Sequence, residues 1–450
     1  MRLKLLTLAL AMAAVSLPSH GEDLLDAYRE ARANDPVLMQ ADAQRLSIGE
    51  NVDQARALLL PQISAGLTLQ QTNGGNSQVV RDPSNPNLTI DTSQFGHTRT
   101  RNMSAQLSQT LLDFSEYANL KAAHSAAEAQ DELYQSALQQ LYVRVTEAYV
   151  GVLTGEDQLA YAKANEDAYR QQYEQSNQRF KVGLSAVTDV YQAKSYYEAA
   201  KANTIATENA LNDAREALAE ITGKPTGELK KLREDLPMQP PTPNDPDTWV
   251  KQALQTNPDL LAQRSNVETT EHNISAARAG HLPTITANVS YGKNASWYQN
   301  IGSGRQDNRG ATTIGVTLNV PIFSGGATQS RVRQSIYQRD SAQDALESQR
   351  RQVIRTTLNN YRSVIAGISQ VESTRAAVDS GKKALEATRA GFDVGTQTMT
   401  NVLIQIQNLT QAESQYSQAR HQFVLNKLML KQSSGTADIK DMEAINALLQ

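Results

Sequence analysis

The sequence predicts a mainly α-helical fold that also carries two pairs of β-strands, laid out as two tandem repeats of helix, strand, strand, long helix, helix. Three observations predict it. The chain repeats itself over about half its length, each half holds a helical stretch of 65 residues or more without proline, and two segments of alternating polarity precede each stretch.

The repeat is carried by identical residues at two offsets. QARALLLPQI (54–63) returns as AARAGHLPTI (276–285), so that Ala55, Arg56, Ala57, Leu60, Pro61 and Ile63 recur 222 positions later, as does Pro36 in Pro258. Further along the offset is 212, pairing Tyr149 with Tyr361, Gly155 with Gly367, Phe180, Val182 and Gly183 with Phe392, Val394 and Gly395, Thr188 with Thr400, Val190 with Val402 and Gly223 with Gly435. The offset drops because the first half carries a longer loop after Gln71. The first repeat is expected at 22–223 and the second at 248–435. Between them, 224–247 holds Pro237, Pro240, Pro241, Pro243 and Pro246 and reads as a linker, with room for a short helix at 228–236. Residues 436–450 read as an amphipathic tail.

The strand pairs are expected at about 62–71 and 102–112, and at about 284–292 and 312–322. In the first, Ile63, Ala65, Leu67 and Leu69 alternate with polar residues; Met103, Ala105, Leu107, Gln109 and Leu111 repeat the pattern less well. In the second half Ile285, Ala287, Val289 and Tyr291 form one row and Ile314, Val316, Leu318, Val320 and Ile322 the other. Such alternation fits a half-buried soluble sheet and also a transmembrane barrel with lipid on one side and water on the other. The segments joining each pair, 72–101 and 292–312, are long and rich in Asn, Gly, Ser and Asp, which favours the barrel. Four strands cannot close a barrel, and an open edge is not viable in lipid, so a membrane reading requires several copies. Two would give eight strands and a filled interior; three would give twelve and room for a channel.

Residues 115–181 and 327–391 carry no proline, so each is expected to be one rod of about 100 Å. Apolar positions step by seven through Val364, Val371, Val378, Leu385 and Phe392, matched in the first half by Val152, Leu159, Glu166, Tyr173 and Phe180. That period implies coiled-coil packing along a narrow seam. Shorter helices at 37–59 and 188–222, and at 259–280 and 400–433, sum to nearly the same length, so each half can supply one continuous and one composite strut.

Composition agrees with a thin core. The 450 residues include only 6 Phe and 2 Trp, too few for a large globule. A formal net charge of −4 is a poor basis for binding nucleic acid. The absence of cysteine excludes thiol catalysis, disulfides and Cys-based zinc sites. Arg2 and Lys4 followed by the apolar run 5–17 and Ser19-His20-Gly21 read as a signal peptide over 1–21, too short to span a bilayer; its removal takes the charge from −4 to −6.

The motifs ARALLLPQI/ARAGHLPTI, LNVPIFSGG (318–326), RFKVGLSAVTDV (179–190), AGFDVGTQTMTNV (390–402) and LAEITG (218–223) together resemble the TolC-type outer-membrane factors of tripartite efflux pumps and type I secretion, over nearly all of the chain after residue 22. The resemblance implies a homotrimer in the cell outer membrane: a twelve-stranded β-barrel continuous with a twelve-helix α-barrel tunnel in the periplasm. It implies outer-membrane lipid around the barrel, and a periplasmic adaptor (membrane fusion) protein and an inner-membrane pump or ABC exporter as partners.

Function is expected to concentrate where each long rod turns into the next helix. Gly183 and Gly395 end the rods, the ordinary role of glycine at a helix terminus. In the family these turns carry the adaptor-docking surface and the nearby helix starts carry the gate. The candidate residues are Phe180, Val182, Gly183, Leu184 and Asp189 in the first turn, and Phe392, Val394, Gly395, Gln397, Asn401 and Ile404 in the second. Asp189 reads equally as an acid at a helix start and as a gate residue. Relatives place an acidic pair where this chain has Asn401 and Ile404, and a tyrosine and an arginine where it has Phe392 and Gln397. The acidic ring and the ion-pair lock are therefore missing, and neutral closure with weak cation selectivity is expected.

No enzyme, metal or cofactor signature is legible: His20, His97, His124, His272, His281 and His421 form no ligand spacing, and there is no Walker loop or nucleophile elbow. The sequence reads as a passive export duct; a non-conducting periplasmic coiled-coil scaffold, adaptor or adhesin is the alternative, separable by conductance.

Overall fold

The computed structural model describes residues 22–76, 79–91, 94–299, 305–307 and 309–450; the expected leader lies outside them. The elements run α1 (Leu24–Asn34), α2 (Pro36–Ala57), β1 (Gln62–Asn76), β2 (Val79–Asp82), β3 (Asn85–Asp91), β4 (Gln94–Leu112), α3 (Phe114–Lys181) and α4 (Val187–Thr222). The second half gives α5 (Pro246–Thr256), α6 (Pro258–Ala279), β5 (Thr284–Gln299), β6 (Arg305–Asp307), β7 (Ala311–Asn319), α7 (Ala327–Asp393), α8 (Met399–Ser433) and α9 (Ile439–Asn446). The 68 residues of α3 and 67 of α7 are each one unbroken helix of about 100 Å. No helix among the described residues is long and apolar enough to cross a membrane.

The compact units do not follow the repeats. Among the described residues, one comprises 22–45, Gln130–Gln263 and Leu346–Gln450, the other Leu46–Ala129 and Arg264–Ala345, so each draws on both halves of the chain.

The second unit holds the sheet, in which the long strands lie antiparallel in the order β1, β4, β5, β7, with β6 beside β7 on the far flank of β5. The register gives the sheet two unlike faces. Ile63 pairs with Leu107, Leu107 with Val289 and Val289 with Ile314, a row of branched apolar side chains across all four strands. One residue along, Ser64, Gln106, Ser290 and Thr313 form a polar row on the opposite face. Ile63 and Ile314 are 77% and 76% exposed in the single chain. Gln109 falls among the apolar positions because its amide is consumed locally: Nε2 donates to the carbonyls of Leu59 (2.7 Å) and Thr110 (2.8 Å). A register shift between Thr110 and Leu112 then sets Leu112, not the expected Leu111, opposite Ile285.

The strands depart from their expected limits. β1 runs on to Asn76 and β4 starts at Gln94, with the hairpin of β2 and β3 between them, so most of 72–101 is strand rather than loop. β5 likewise reaches Gln299. Polar residues pair as readily as apolar ones in an antiparallel ladder, since the backbone makes the bonds. β7 ends at Asn319, leaving Val320 and Ile322 outside it; Pro321 has no N–H to continue a ladder.

The first unit holds the main core. Leu24, Tyr28, Leu141, Val145, Tyr149 and Val152 pack with Leu218, Leu428 and Met442. The expected linker is part of this core rather than a tether. Leu229, Leu232 and Leu236 are buried, Glu22 bridges to Leu229 in parallel and Leu232 to Leu449 in antiparallel fashion, and no helix forms at 228–236. The Tyr149 hydroxyl holds the segment by donating to the carbonyls of Glu22 and Lys230, both at 3.0 Å. The tail folds as α9, capped by Asp438 and burying Met442 and Ile445.

The repeated glycines have a common cause. A Cβ on Gly155 would lie 3.1 Å from Leu211, and one on Gly367 3.2 Å from Phe423, so each admits the large residue at the equivalent place on the neighbouring helix. The seams differ between halves. In α7, Val364, Val371, Val378 and Leu385 are buried as expected. In α3 only Val152 of the matching series is buried, and the seam moves to Ala162, Tyr169 and Ser176. Tyr169 draws it there, its hydroxyl donating to the Leu403 carbonyl at 3.1 Å, while Tyr173 stacks on Tyr197 at 6.3 Å.

The composite struts meet at two related junctions. In the first, Asn34 Nδ2 donates to the Thr222 carbonyl at the end of α4, and Asp35 Oδ2 caps Leu38 N at the start of α2. In the second, Thr256 Oγ1 donates to the Ser434 carbonyl and Asn257 caps Leu260 N while donating to Ser433. The first adds a charge pair: Arg144 grips the 2%-exposed Asp35 carboxylate with both terminal nitrogens, at 3.2 and 2.6 Å.

Candidate functional site

Both rod-to-helix turns close by the same backbone device. Gly183 and Gly395 sit in the left-handed region, with φ of 76° and 80°. Leu184 N donates to the Arg179 carbonyl and Gly183 N to Phe180; Thr396 N donates to Gly391 and Gly395 N to Phe392. This paired closure is the Schellman motif, which needs a residue free to take positive φ at that point. It leaves Val182, Leu184 and Val394 projecting, 69%, 71% and 76% exposed. These are apolar side chains facing solvent on a turn.

The helix starts behind the turns are tied locally. Asp189 lies in the first turn of α4 and accepts a bond from Ser185 Oγ at 2.8 Å, so its carboxylate serves its own turn. Gln397 Oε1 accepts from Asn401 Nδ2 at 2.8 Å, and Thr398 caps α8. Phe392 receives the Arg179 guanidinium over its ring at 4.8 Å, which joins the two turns across the site. Thr400 Oγ1 donates to Gln192 Oε1 at 3.1 Å, a second tie between α8 and α4. Ile404 is 39% exposed, and behind it Tyr169, Leu385, Met399, Val402, Leu403 and Ile406 pack the hairpins together.

The structure thus brings the two candidate turns together through Arg179 and Phe392. Sequence reasoning did not single out Arg179, Ser185, Gln192 or Tyr169. Arg179 stands in the RFKVG motif, but nothing local marks its partner as an aromatic ring 213 positions away. Among the described residues no group of three or more His, Asp or Glu is placed to hold a metal ion.

Higher on α8, His421 is buried with its Nδ1 2.8 Å from Thr154 Oγ1. Burial pushes its pKa down to about 4, with Arg420 acting in the same direction and Asp157 opposing. It is therefore neutral at pH 7. Asp157 itself accepts from Ser417 Oγ at 2.6 Å.

Residues 27–224 and 249–436 match the family model for outer membrane efflux proteins. The chain belongs to the outer membrane efflux protein family. Outer membrane protein TolC of Vibrio cholerae is 34% identical over 451 residues, covering 99% of each chain. The alkaline protease secretion protein AprF of Pseudomonas aeruginosa is 26% identical over 428 residues, covering 94% of this chain and 86% of the relative. In fold, the chain resembles the CmeC outer membrane channel of Campylobacter jejuni, with a TM-score of 0.76 at 15% identity over 95% of this chain and 90% of that one. As a member of the efflux family the protein is an export duct of the outer membrane, and the TolC-type resemblance read from its motifs is correct. The family model leaves residues 225–248 between its two matched stretches.

Proposed function

We propose that three copies of this chain assemble into a passive channel-tunnel, the exit duct of a tripartite efflux pump or a type I secretion system. The observation that carries the reading is the register of the sheet. It gives one apolar and one polar face, and among the described residues β1 and β7 each pair on one side only. In lipid such edges must be closed, and joining β1 of one copy to β7 of the next closes them. Three copies supply twelve long strands, with outer-membrane lipid against the Ile63–Ile314 row and water against the Ser64–Thr313 row.

The turns at Gly183 and Gly395 form the periplasmic tip, where Phe180, Val182, Leu184 and Val394 dock the adaptor. Asp189, Phe392, Gln397, Asn401 and Ile404 stand at the gate. Docking separates α3–α4 from α7–α8 by breaking the Arg179–Phe392 and Thr400–Gln192 contacts. The energy is ascribed to the partner pump, since no Walker loop is legible in the sequence. Relatives named for efflux and for protease secretion support both kinds of cargo.

Conductance tests the reading. Purified protein added to planar bilayers should give discrete channel openings, and cross-linking in detergent should stop at three copies. A silent bilayer with an intact trimer would favour the scaffold alternative, and a monomer would remove the closed barrel altogether.

A further inference from the structure

The first unit contains a cavity of about 350 Å³ that the export reading does not use. It lies where the proline-rich segment and α9 fold over α8. Leu236, Trp249, Phe423, Leu428 and Ile445 are buried in its wall, while Pro237, Gln239 and Pro240 at the rim are exposed. The volume falls within the range of small-molecule sites.

Its chemistry is specific. The Trp249 indole N–H is already satisfied by the Pro243 carbonyl at 2.8 Å, so the ring offers only apolar surface. Three charged residues line the space, Lys427, Lys431 and Asp441. Lys431 and Asp441 neutralise each other at 3.6 Å. Lys427 is matched by no carboxylate among the described residues; its ammonium lies 5.7 Å from the centre of the Phe423 ring. Burial lowers its pKa, with no neighbouring acid to oppose the shift. The lining therefore carries one uncompensated positive charge beside two aromatic rings and flat proline faces.

We propose that this cavity binds a small aromatic carboxylate, its ring against Trp249 and Phe423 and its carboxylate on Lys427. An anion there supplies the partner that the ammonium lacks, and a charge-assisted bond in a partly dry site is worth more than its counterpart in water. A neutral aromatic would fill the space and leave the charge unmatched. An aliphatic carboxylate would match the charge and forgo the rings.

The chain has only two tryptophans, Trp249 and Trp297, so Trp297→Phe leaves Trp249 as the sole reporter and removes the one in the sheet. The probe is 4-iodobenzoate, whose iodine quenches indole emission on contact, titrated against full-length W297F protein in detergent. Saturable quenching is expected. Replacing Lys427 by Met should weaken it about tenfold, and Lys427→Arg should retain it. The neutral 4-iodobenzamide should quench at least tenfold more weakly, and octanoate should compete poorly. Trimer content of each variant is checked by cross-linking, and K427Q replaces K427M should the latter fail to assemble. Absence of saturable quenching, equal quenching by the benzamide, equal affinity in an assembled K427M or K427Q trimer, or octanoate binding more tightly would each overturn the assignment. Conductance is read separately, so failure here leaves the export reading standing.

Discussion

The two strut junctions do the same work with different chemistry, and exchanging them tests how much the charge pair contributes. Asp35 and Arg144 of the first half correspond to Asn257 and Thr356 of the second, at the offsets of the repeat. Asp35 is 2% exposed and Arg144 30%, so the two single substitutions are unequal. Arg144→Thr leaves a buried carboxylate with the Leu38 N–H as its remaining partner. Breaking a buried pair from that side costs about 3–5 kcal/mol. Asp35→Asn keeps the helix cap, as Asn257 shows in the other half, and leaves an arginine that water can reach. About 2 kcal/mol is expected there. The double variant carries the residues that the second junction already uses and leaves neither charge unpaired. It should be less destabilised than Arg144→Thr alone, which requires a coupling larger than the Asp35→Asn cost, about 3 kcal/mol. Over a chain of 450 residues, ~4 kcal/mol lowers Tm by about 4 °C. Circular dichroism melts of the four proteins, in one detergent and at one scan rate, give the cycle. Additive losses, or an Arg144→Thr protein melting with the wild type, would refute the view that the pair matters through the burial of Asp35.

Three further outcomes are expected. Because the folded-state pKa of His421 lies below its ordinary value, neutral His421 is favoured by folding; its contribution is full above about pH 6.5 and is lost as pH falls toward 4, by up to about 3 kcal/mol. Melting of wild type against His421→Gln should therefore show the steeper acid loss in wild type. Gly435→Ala should abolish assembly, since its Cβ would lie 2.2 Å from the Thr256 carbonyl oxygen, whereas Gly183→Ala meets no atom within 4 Å and suffers only left-handed strain of about 1 kcal/mol; trimer yield distinguishes them. With Asn401 and Ile404 at the proposed gate, wild-type channels should show weak divalent-cation block in single-channel recordings, and Asn401→Asp with Ile404→Asp should introduce a strong one.

Legibility followed the range of the interaction. The rods, the turns at Gly183 and Gly395 and the apolar rows of the strands rest on local periodicity and glycine placement, so they could be read directly. Where one half has to pack on distant residues, the pattern failed. The seam of α3 shifted to Tyr169 because the Leu403 carbonyl, 234 positions away, takes its hydroxyl. Leu111 lost its place to Leu112 because the ladder shifted register against β5.

Of the candidate site, the sequence alone determined the two glycine turns and placed Val182, Leu184 and Val394 at them, because each depends on residue type at a local position; that these three side chains are exposed was shown by the structure. Tertiary structure decided that Arg179 meets Phe392, that Asp189 bonds to Ser185, and that the proline-rich segment and the tail are core rather than tether. The reason is physical: alternation and heptads state which face of an element is apolar, but not which other element will cover it. That choice depends on side chains brought together from hundreds of residues apart.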